Sequence, residues 1–212
     1  MLHAYHEIYL NRAQSALGTV FDYAINTCKI NGEDFVKIFA VSNICKRFEK
    51  GESAVVSGKS GIEIAREVIF EATGEQLDVE PQNSFARTKE YWIGWAVAYY
   101  QWYSNRKYIE IFNAVFYNDF EQMYYTLHEA DISKFVDIVD KKVKEYYSDT
   151  NLKRIRTAYG ITQLELAKRA DVKLRSIQMY EQRNKDINKA SVETIYSIAN
   201  VLGCTVEDLI EK

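Results

Sequence analysis

Apolar side chains recur at helical spacing along almost the whole chain. Leu2, Tyr5, Ile8/Tyr9, Ala16/Leu17, Val20/Phe21, Ala24/Ile25 and Cys28 trace one long amphipathic helix over 2–28, which Asn31-Gly32 ends. Gly18 inside it is either a weak point or a place where another helix comes close. Phe35, Ile38/Phe39, Val41, Ile44/Cys45 and Phe48 predict a second helix over about 33–49, stopped by Gly51. A third runs from Gly61 to about Ala72, with Ser60 as its N-cap, Glu63 completing the cap and Thr73-Gly74 as its stop. Residues 75–87, with Pro81, Asn83 and Ser84, read as the longest loop.

The stretch EYWIGWAVAYYQWY, residues 90–103, is apolar nearly all round. It predicts a helix packed on most of its faces, with Gly94, Ala96 and Ala98 letting neighbours approach closely. The alternative for Trp92, Trp95, Tyr99 and Trp102 is a partner or ligand surface, since tyrosine and tryptophan suit interfaces that are part apolar and part wet. Two shorter helices follow around 107–116 and 118–126. A charged amphipathic one over 130–147 turns Ile132, Phe135/Val136, Ile138/Val139 and Val143 to one side. Tyr146 to Thr150 forms a junction without Gly/Ser- or Pro-rich character, which implies closely coupled domains.

After the junction the pattern changes to short helices and tight turns. Thr162 N-caps a helix, with Glu165 completing a capping box and Leu164, Leu166 and Ala167 giving it an apolar side. Ala170–Asp171–Val172 interrupts the pattern. Leu174, Ile177 and Tyr180 then mark a second helix, interleaved with Lys173, Arg175, Ser176, Gln178 and Met179. Val192, Ile195, Ile198/Ala199 and Leu202 form another helix stopped by Gly203, and Thr205 with Asp208 caps a last one containing Val206, Leu209 and Ile210. Two short helices about a turn, the second carrying outward-reaching polar side chains, form a helix-turn-helix suited to the DNA major groove.

Residues Thr150 to about Glu211 resemble the λ-repressor/Cro-like helix-turn-helix family, also called XRE. The resemblance is carried by Leu152-Lys153-Arg154-Ile155-Arg156, Thr162-Gln163-x-x-Leu166-Ala167, Ser176-Ile177-x-x-Tyr180-Glu181 and Leu202-Gly203-Cys204-Thr205-Val206-x-Asp208-Leu209. It does not extend over residues 1–149. It implies a five-helix DNA-binding domain over 150–212, following an all-helical domain over 1–149, so the expected fold class is all-α. It also implies roles. Gln163 lies against the DNA backbone, and Arg183 and Lys185 take phosphates. Lys173, Leu174, Arg175, Ser176, Gln178 and Met179 face base edges or phosphates. Arg156 and Glu181 form a structural ion pair. In chemical terms Arg175 suits guanine, Gln178 suits adenine, and Leu174 or Met179 suits a thymine methyl.

Composition agrees. The net charge of −3 hides a contrast: residues 1–149 carry 16 Lys/Arg against 22 Asp/Glu, and residues 150–190 carry 10 against 4. The basic charge thus sits where DNA would lie. With 47% hydrophobic residues disorder is not expected, and a single proline argues against a turn-rich all-β fold. Cys28, Cys45 and Cys204 form no CxxC pair, which predicts reduced thiols rather than a zinc site or disulfide framework. No secretory signal or membrane-spanning run is evident, so a cytoplasmic location is expected.

Catalytic signatures are weak. Gly58-Lys59-Ser60-Gly61 imitates the end of a phosphate-binding loop, but the motif's first glycine would fall on Ser53 and no strand precedes it. His3, His6 and Glu7, and separately His128, Glu129 and Asp131, have no known zinc spacing. There is no nucleophile elbow and no dinucleotide glycine pattern. The expectation is therefore a non-enzymatic transcriptional regulator, a repressor, that needs no cofactor or metal and binds operator DNA as a homodimer. The alternative is an antitoxin whose N-terminal domain neutralises a toxin and whose C-terminal domain represses the shared promoter. A third reading makes residues 1–149 an enzyme or small-molecule sensor, favoured if Trp92, Trp95 or Tyr99 lines a deep pocket with convergent polar groups.

Overall fold

The computed structural model describes residues 3–81 and 87–211; Leu2, Asn83 and Ser84 lie outside them. The described residues form helices and no strand, so the fold is all-α. The chain divides into two compact units, Met1–Val143 and Lys144–Lys212. The first holds α1 (Leu10–Asp22), α2 (Gly32–Val41), α3 (Asn43–Phe48), α4 (Ser53–Val56), α5 (Gly61–Thr73), α6 (Lys89–Ser104), α7 (Tyr108–Ala114) and α8 (Tyr117–Leu127). The division falls inside α9 (Ile132–Ser148), whose last turn belongs to the second unit with α10 (Asn151–Tyr159), α11 (Gln163–Arg169), α12 (Leu174–Glu181), α13 (Val192–Leu202) and α14 (Val206–Leu209).

The predicted first helix is shorter than its apolar pattern. Ala4 N–H donates to the Trp102 carbonyl (3.0 Å), which holds the first described residues against α6. His6 caps a short 3-10 turn, Glu7–Tyr9, and only then does α1 begin. It ends in a π-helical turn, Tyr23–Thr27. The predicted helix over 33–49 is two helices. Ser42 adopts an extended backbone (ψ 153°), and its hydroxyl donates to the Phe39 carbonyl (2.8 Å) while accepting from Cys45 N–H (3.1 Å). One serine thus ends α2 and caps α3. Helix α4 lies where the pattern suggested none.

The core of the first unit is aromatic. Phe21 meets Phe35 edge-on (5.4 Å, 89°), Phe39 meets Tyr108 (5.2 Å, 75°), and all four rings are buried. Burying one such side chain contributes about 1.5–3 kcal/mol. Helix α6 crosses α1 at glycines. A Cβ on Gly94 would collide with the Leu17 carbonyl, and one on Gly18 would lie 2.9 Å from the Tyr91 carbonyl oxygen. Gly18 is therefore a close-packing site. The innermost residues of α6 include Gly94, Ala96, Val97 and Ala98, whereas Trp92, Trp95 and Tyr99 are only half-buried. Where α6 meets α1 at Gly94 the backbones are too close for a side chain, while Ile93, Tyr100 and Trp102 are buried at other positions of the helix.

Ser60 and Glu63 form a reciprocal capping box at the start of α5, with Ser60 N–H donating to Glu63 Oε2 (2.7 Å) and Glu63 N–H donating to Ser60 Oγ (3.2 Å). Lys59 is paired with Glu67 (2.6 Å). The Gly58–Gly61 stretch is thus a helix start whose serine and lysine are committed within the protein.

Candidate nucleic-acid interface

The second unit closes around Leu152, Leu166, Ala167, Ile177, Tyr180, Ile195, Ile198, Leu202 and Leu209, all buried. Thr162 starts α11 through a capping box: Glu165 Oε2 accepts from Thr162 N–H (2.8 Å) and Thr162 Oγ1 accepts from Glu165 N–H (3.1 Å). The bonds that the Glu165 carboxylate accepts from the Thr162 N–H and hydroxyl (2.8 Å each) hold it below the usual carboxylate range. The turn to α12 passes through Asp171 at φ 52°, a left-handed conformation that aspartate tolerates better than most residues. Leu166, Ala167, Ile177 and Tyr180 then lock the two helices against the rest of the unit.

Glu181 is the polar centre of this packing. Its carboxylate accepts from Arg156 Nε (2.6 Å) and Nη2 (2.9 Å), a two-pronged pair across α10 and α12. The side chains are only 12% and 2% exposed. Arg156 Nη1 also donates to the Ile161 carbonyl (2.8 Å), and the bond to Glu181 raises the guanidinium pKa above its ordinary value. Gln163 Nε2 adds a third donor to Glu181 Oε2 (2.7 Å). One carboxylate therefore ties together α10, the first residue of α11 and the last residue of α12. The link to Gln163 was not anticipated. The signal available was Glu181 itself, because a two-oxygen acceptor is not saturated by one arginine.

Along α12 the buried and outward positions separate. Ile177, Tyr180 and Glu181 are buried, Lys173 and Arg175 are exposed, and Ser176, Gln178 and Met179 are half-exposed. Lys185 is exposed, its ammonium 5.2 Å from the Tyr180 ring. Two expectations need correction. Leu174 packs partly buried against the core of the unit, because its position places it on the same face as Ile177. Leu164 is 48% exposed, so the inward side of α11 is carried by Leu166 and Ala167. Arg183, at φ 56°, bends back over the unit with its side chain half exposed. It donates to the carbonyls of Ser148 (2.8 Å) and Tyr147 (3.2 Å) and approaches Glu211 (3.4 Å). The unfilled carbonyls at the end of α9 attract a cation there.

Glu211 fastens more than Arg183. Its carboxylate accepts from Asn151 N–H (2.5 Å), and its own N–H donates to Asn188 Oδ1 (2.9 Å). Asn188 Nδ2 and Asn151 Nδ2 donate to the carbonyls of Glu211 and Ile210 (2.6 Å each).

A capped helix, a tight turn and a second helix with exposed Lys173 and Arg175 define a helix-turn-helix DNA-binding module. Residues 152–209 match the Helix-turn-helix family and are such a module, of the XRE type; no family matches the N-terminal region. No curated protein and no solved structure matches the chain.

The aromatic residues of α6 divide. Trp92 and Trp95 line a cavity of about 510 Å³ in the first unit. Tyr99, half-buried, stacks on Tyr103 (6.3 Å, 11°) and is not part of that cavity. Trp102 is no surface: it is 6% exposed, its indole N–H donates to the Tyr5 carbonyl (2.9 Å), and His3 stacks on it (3.8 Å). His6 is spent on its cap, and His128 donates through Nδ1–H to the Tyr124 carbonyl (2.8 Å). Among the described residues no group of His, Cys, Asp or Glu is arranged to hold a metal ion. Cys28, Cys45 and Cys204 are free thiols, and burial pushes the pKa of each up. No helix among the described residues is long and apolar enough to cross a membrane.

Proposed function

We propose that this protein is a sequence-specific transcriptional regulator that acts as a repressor. The observation that carries the reading is the division of α12. Ile177, Tyr180 and Glu181 anchor it, while Lys173, Arg175, Ser176, Gln178 and Met179 lie on the part left open. Arg175 and Gln178 are the base-reading side chains, suited to guanine and adenine edges, and Met179 meets a thymine methyl. Lys173, Ser176 and Lys185 take phosphates. Gln163 joins them: one amide N–H is fixed on Glu181, and the second remains for a phosphate oxygen. Arg183, half exposed beside the end of α9, can meet a phosphate as well, and Leu174 packs against the core.

The repressor works as a homodimer on a two-fold operator, since one module makes few base contacts. Val192 and Tyr196, one turn apart on α13, are 81% and 64% exposed and supply an apolar patch for a second copy. The place of action is the cytoplasm or nucleoid. Genome-wide mapping of the tagged protein identifies the operator, and titration of that duplex tests the reading. Salt-sensitive, sequence-selective binding is expected. Arg175→Ala should cost about 1–3 kcal/mol of discrimination at one base position. Equal affinity for operator and scrambled duplex would overturn the proposal.

A further inference from the structure

The cavity beside α6 has no part in DNA reading. Its walls are aromatic: Tyr91, Trp92 and Trp95 from α6, Tyr124 from α8 and Phe135 from α9. Its volume of about 510 Å³ lies in the range of sites that enclose small organic ligands. The walls are held in place. Trp92 is gripped edge-on between Tyr124 (5.6 Å, 68°) and Phe135 (5.6 Å, 84°), and Tyr124 is backed by His128 (4.7 Å, 27°). A solid helical core would have filled this space with side chains; here rigid rings border an opening.

The polar groups at the cavity are unequal. Arg87 is exposed, lies over the Tyr91 ring (5.1 Å), and meets no carboxylate among the described residues within ion-pair distance. Asp131 is already engaged: its carboxylate accepts from Ser133 N–H (2.9 Å) at the start of α9. His128 has one ring nitrogen committed to the Tyr124 carbonyl. Asp131 keeps its negative charge through the bond to Ser133, and the cation at the opening is the guanidinium, whose planar fork pairs with carboxylates in two-pronged fashion.

We propose that this cavity is a binding site for a planar aromatic carboxylate. The ring system lies among Trp92, Trp95 and Tyr124, and the carboxylate meets Arg87. Flat rings stack on aromatic faces without requiring the protein to rearrange. The site makes the first unit a small-molecule sensor, a role beyond the DNA reading of α12 and independent of it.

The test uses the full chain and three matched probes: 2-naphthoate, the neutral 2-naphthylmethanol and the cationic 2-naphthylmethylammonium, measured by calorimetry and saturation-transfer NMR. Saturable one-site binding of 2-naphthoate is expected, tighter than either analogue. Arg87→Gln, at an exposed position, should weaken naphthoate about three- to tenfold and remove its advantage over the alcohol. Trp95→Leu, which keeps an apolar filling but no ring face, should weaken all three probes. Three results would overturn the proposal: no saturable binding, an ammonium probe that binds as well as the carboxylate, or an Arg87→Gln variant with unchanged naphthoate affinity. Because the readout is ligand binding and not operator binding, failure here leaves the regulator reading intact, and the converse holds as well.

Discussion

Removing Glu181 tests the architecture of the DNA-binding unit at its most connected point. Glu181→Ala deletes three charge-assisted bonds, at 2.6 and 2.9 Å to Arg156 and 2.7 Å to Gln163. The guanidinium keeps the Ile161 carbonyl but loses its counter-charge in surroundings where its side chain is only 12% exposed. Breaking one side of a buried pair costs about 3–5 kcal/mol, chiefly from the charge left behind. The lower end applies, because Arg156 retains one bond and some contact with water. At about 4–8 °C per kcal/mol for a domain of this size, about 3 kcal/mol lowers the midpoint by roughly 12 °C or more. Thermal unfolding followed by circular dichroism, with amide exchange in α10–α12 assigning the transition to this unit, measures it. DNA affinity should fall in parallel and recover in part on cooling, since the loss is of folded population rather than of a base contact. Glu181→Gln, which keeps the shape and one acceptor oxygen, should lie between the two. A Glu181→Ala variant with an unchanged midpoint and unchanged exchange in α10–α12 would refute the reasoning.

Two further outcomes follow from the geometry. Gly94→Ala should destabilise the first unit by about 1–3 kcal/mol, because its Cβ meets the backbone of α1 and the strain must be taken up by that crossing; chemical denaturation measures it. Acid should loosen several helix starts together. Glu63, Glu165 and Asp208 have folded pKa values below their ordinary 4.5, 4.5 and 3.8, because the backbone N–H and hydroxyl of Ser60, Thr162 and Thr205 bond the ionised carboxylates. A lowered folded pKa gives stability that is fully present above the ordinary value and is lost as pH falls through the folded one. Titration below about pH 4.5 should therefore reduce stability, and Glu165→Gln should reduce the acid sensitivity of the second unit; an identical acid profile in that variant would count against the box.

The second unit was legible because its signals are local. Thr162 and Glu165, Thr205 and Asp208, and the spacing of Ile177 and Tyr180 all act within a turn or two of the chain. The Arg156–Glu181 pair is a long-range contact, and it was reached through resemblance rather than through spacing. What escaped were features decided by neighbours distant in sequence. Ser42 breaks a helix that periodicity carries straight through, because its hydroxyl is worth more to Phe39 and Cys45 than one more continuous turn. Trp102, in a stretch apolar all round, is open to a core or a surface reading, and the Tyr5 carbonyl and the His3 ring decide for the core. The bonds from Arg183 to the carbonyls at the end of α9 had no local signal either. In the first unit the aromatic content of α6 was plain, while its geometry was not. Only the packing of α6 against α1, α8 and α9 shows which of its rings border a cavity.

The bonds around Glu211 have a topological consequence. Asn151 opens the five-helix module and Glu211 stands at its far end, and the two are in direct hydrogen-bond contact. Entry and exit of the polypeptide therefore meet at one point, and the module is close to a closed ring. Such a ring can be reopened elsewhere: joining 211 to 151 by a short peptide and cutting an exposed turn, such as the one around Gly160, requires no helix to move. The order in which α10 to α14 occur along the chain is then a matter of inheritance rather than of physical necessity.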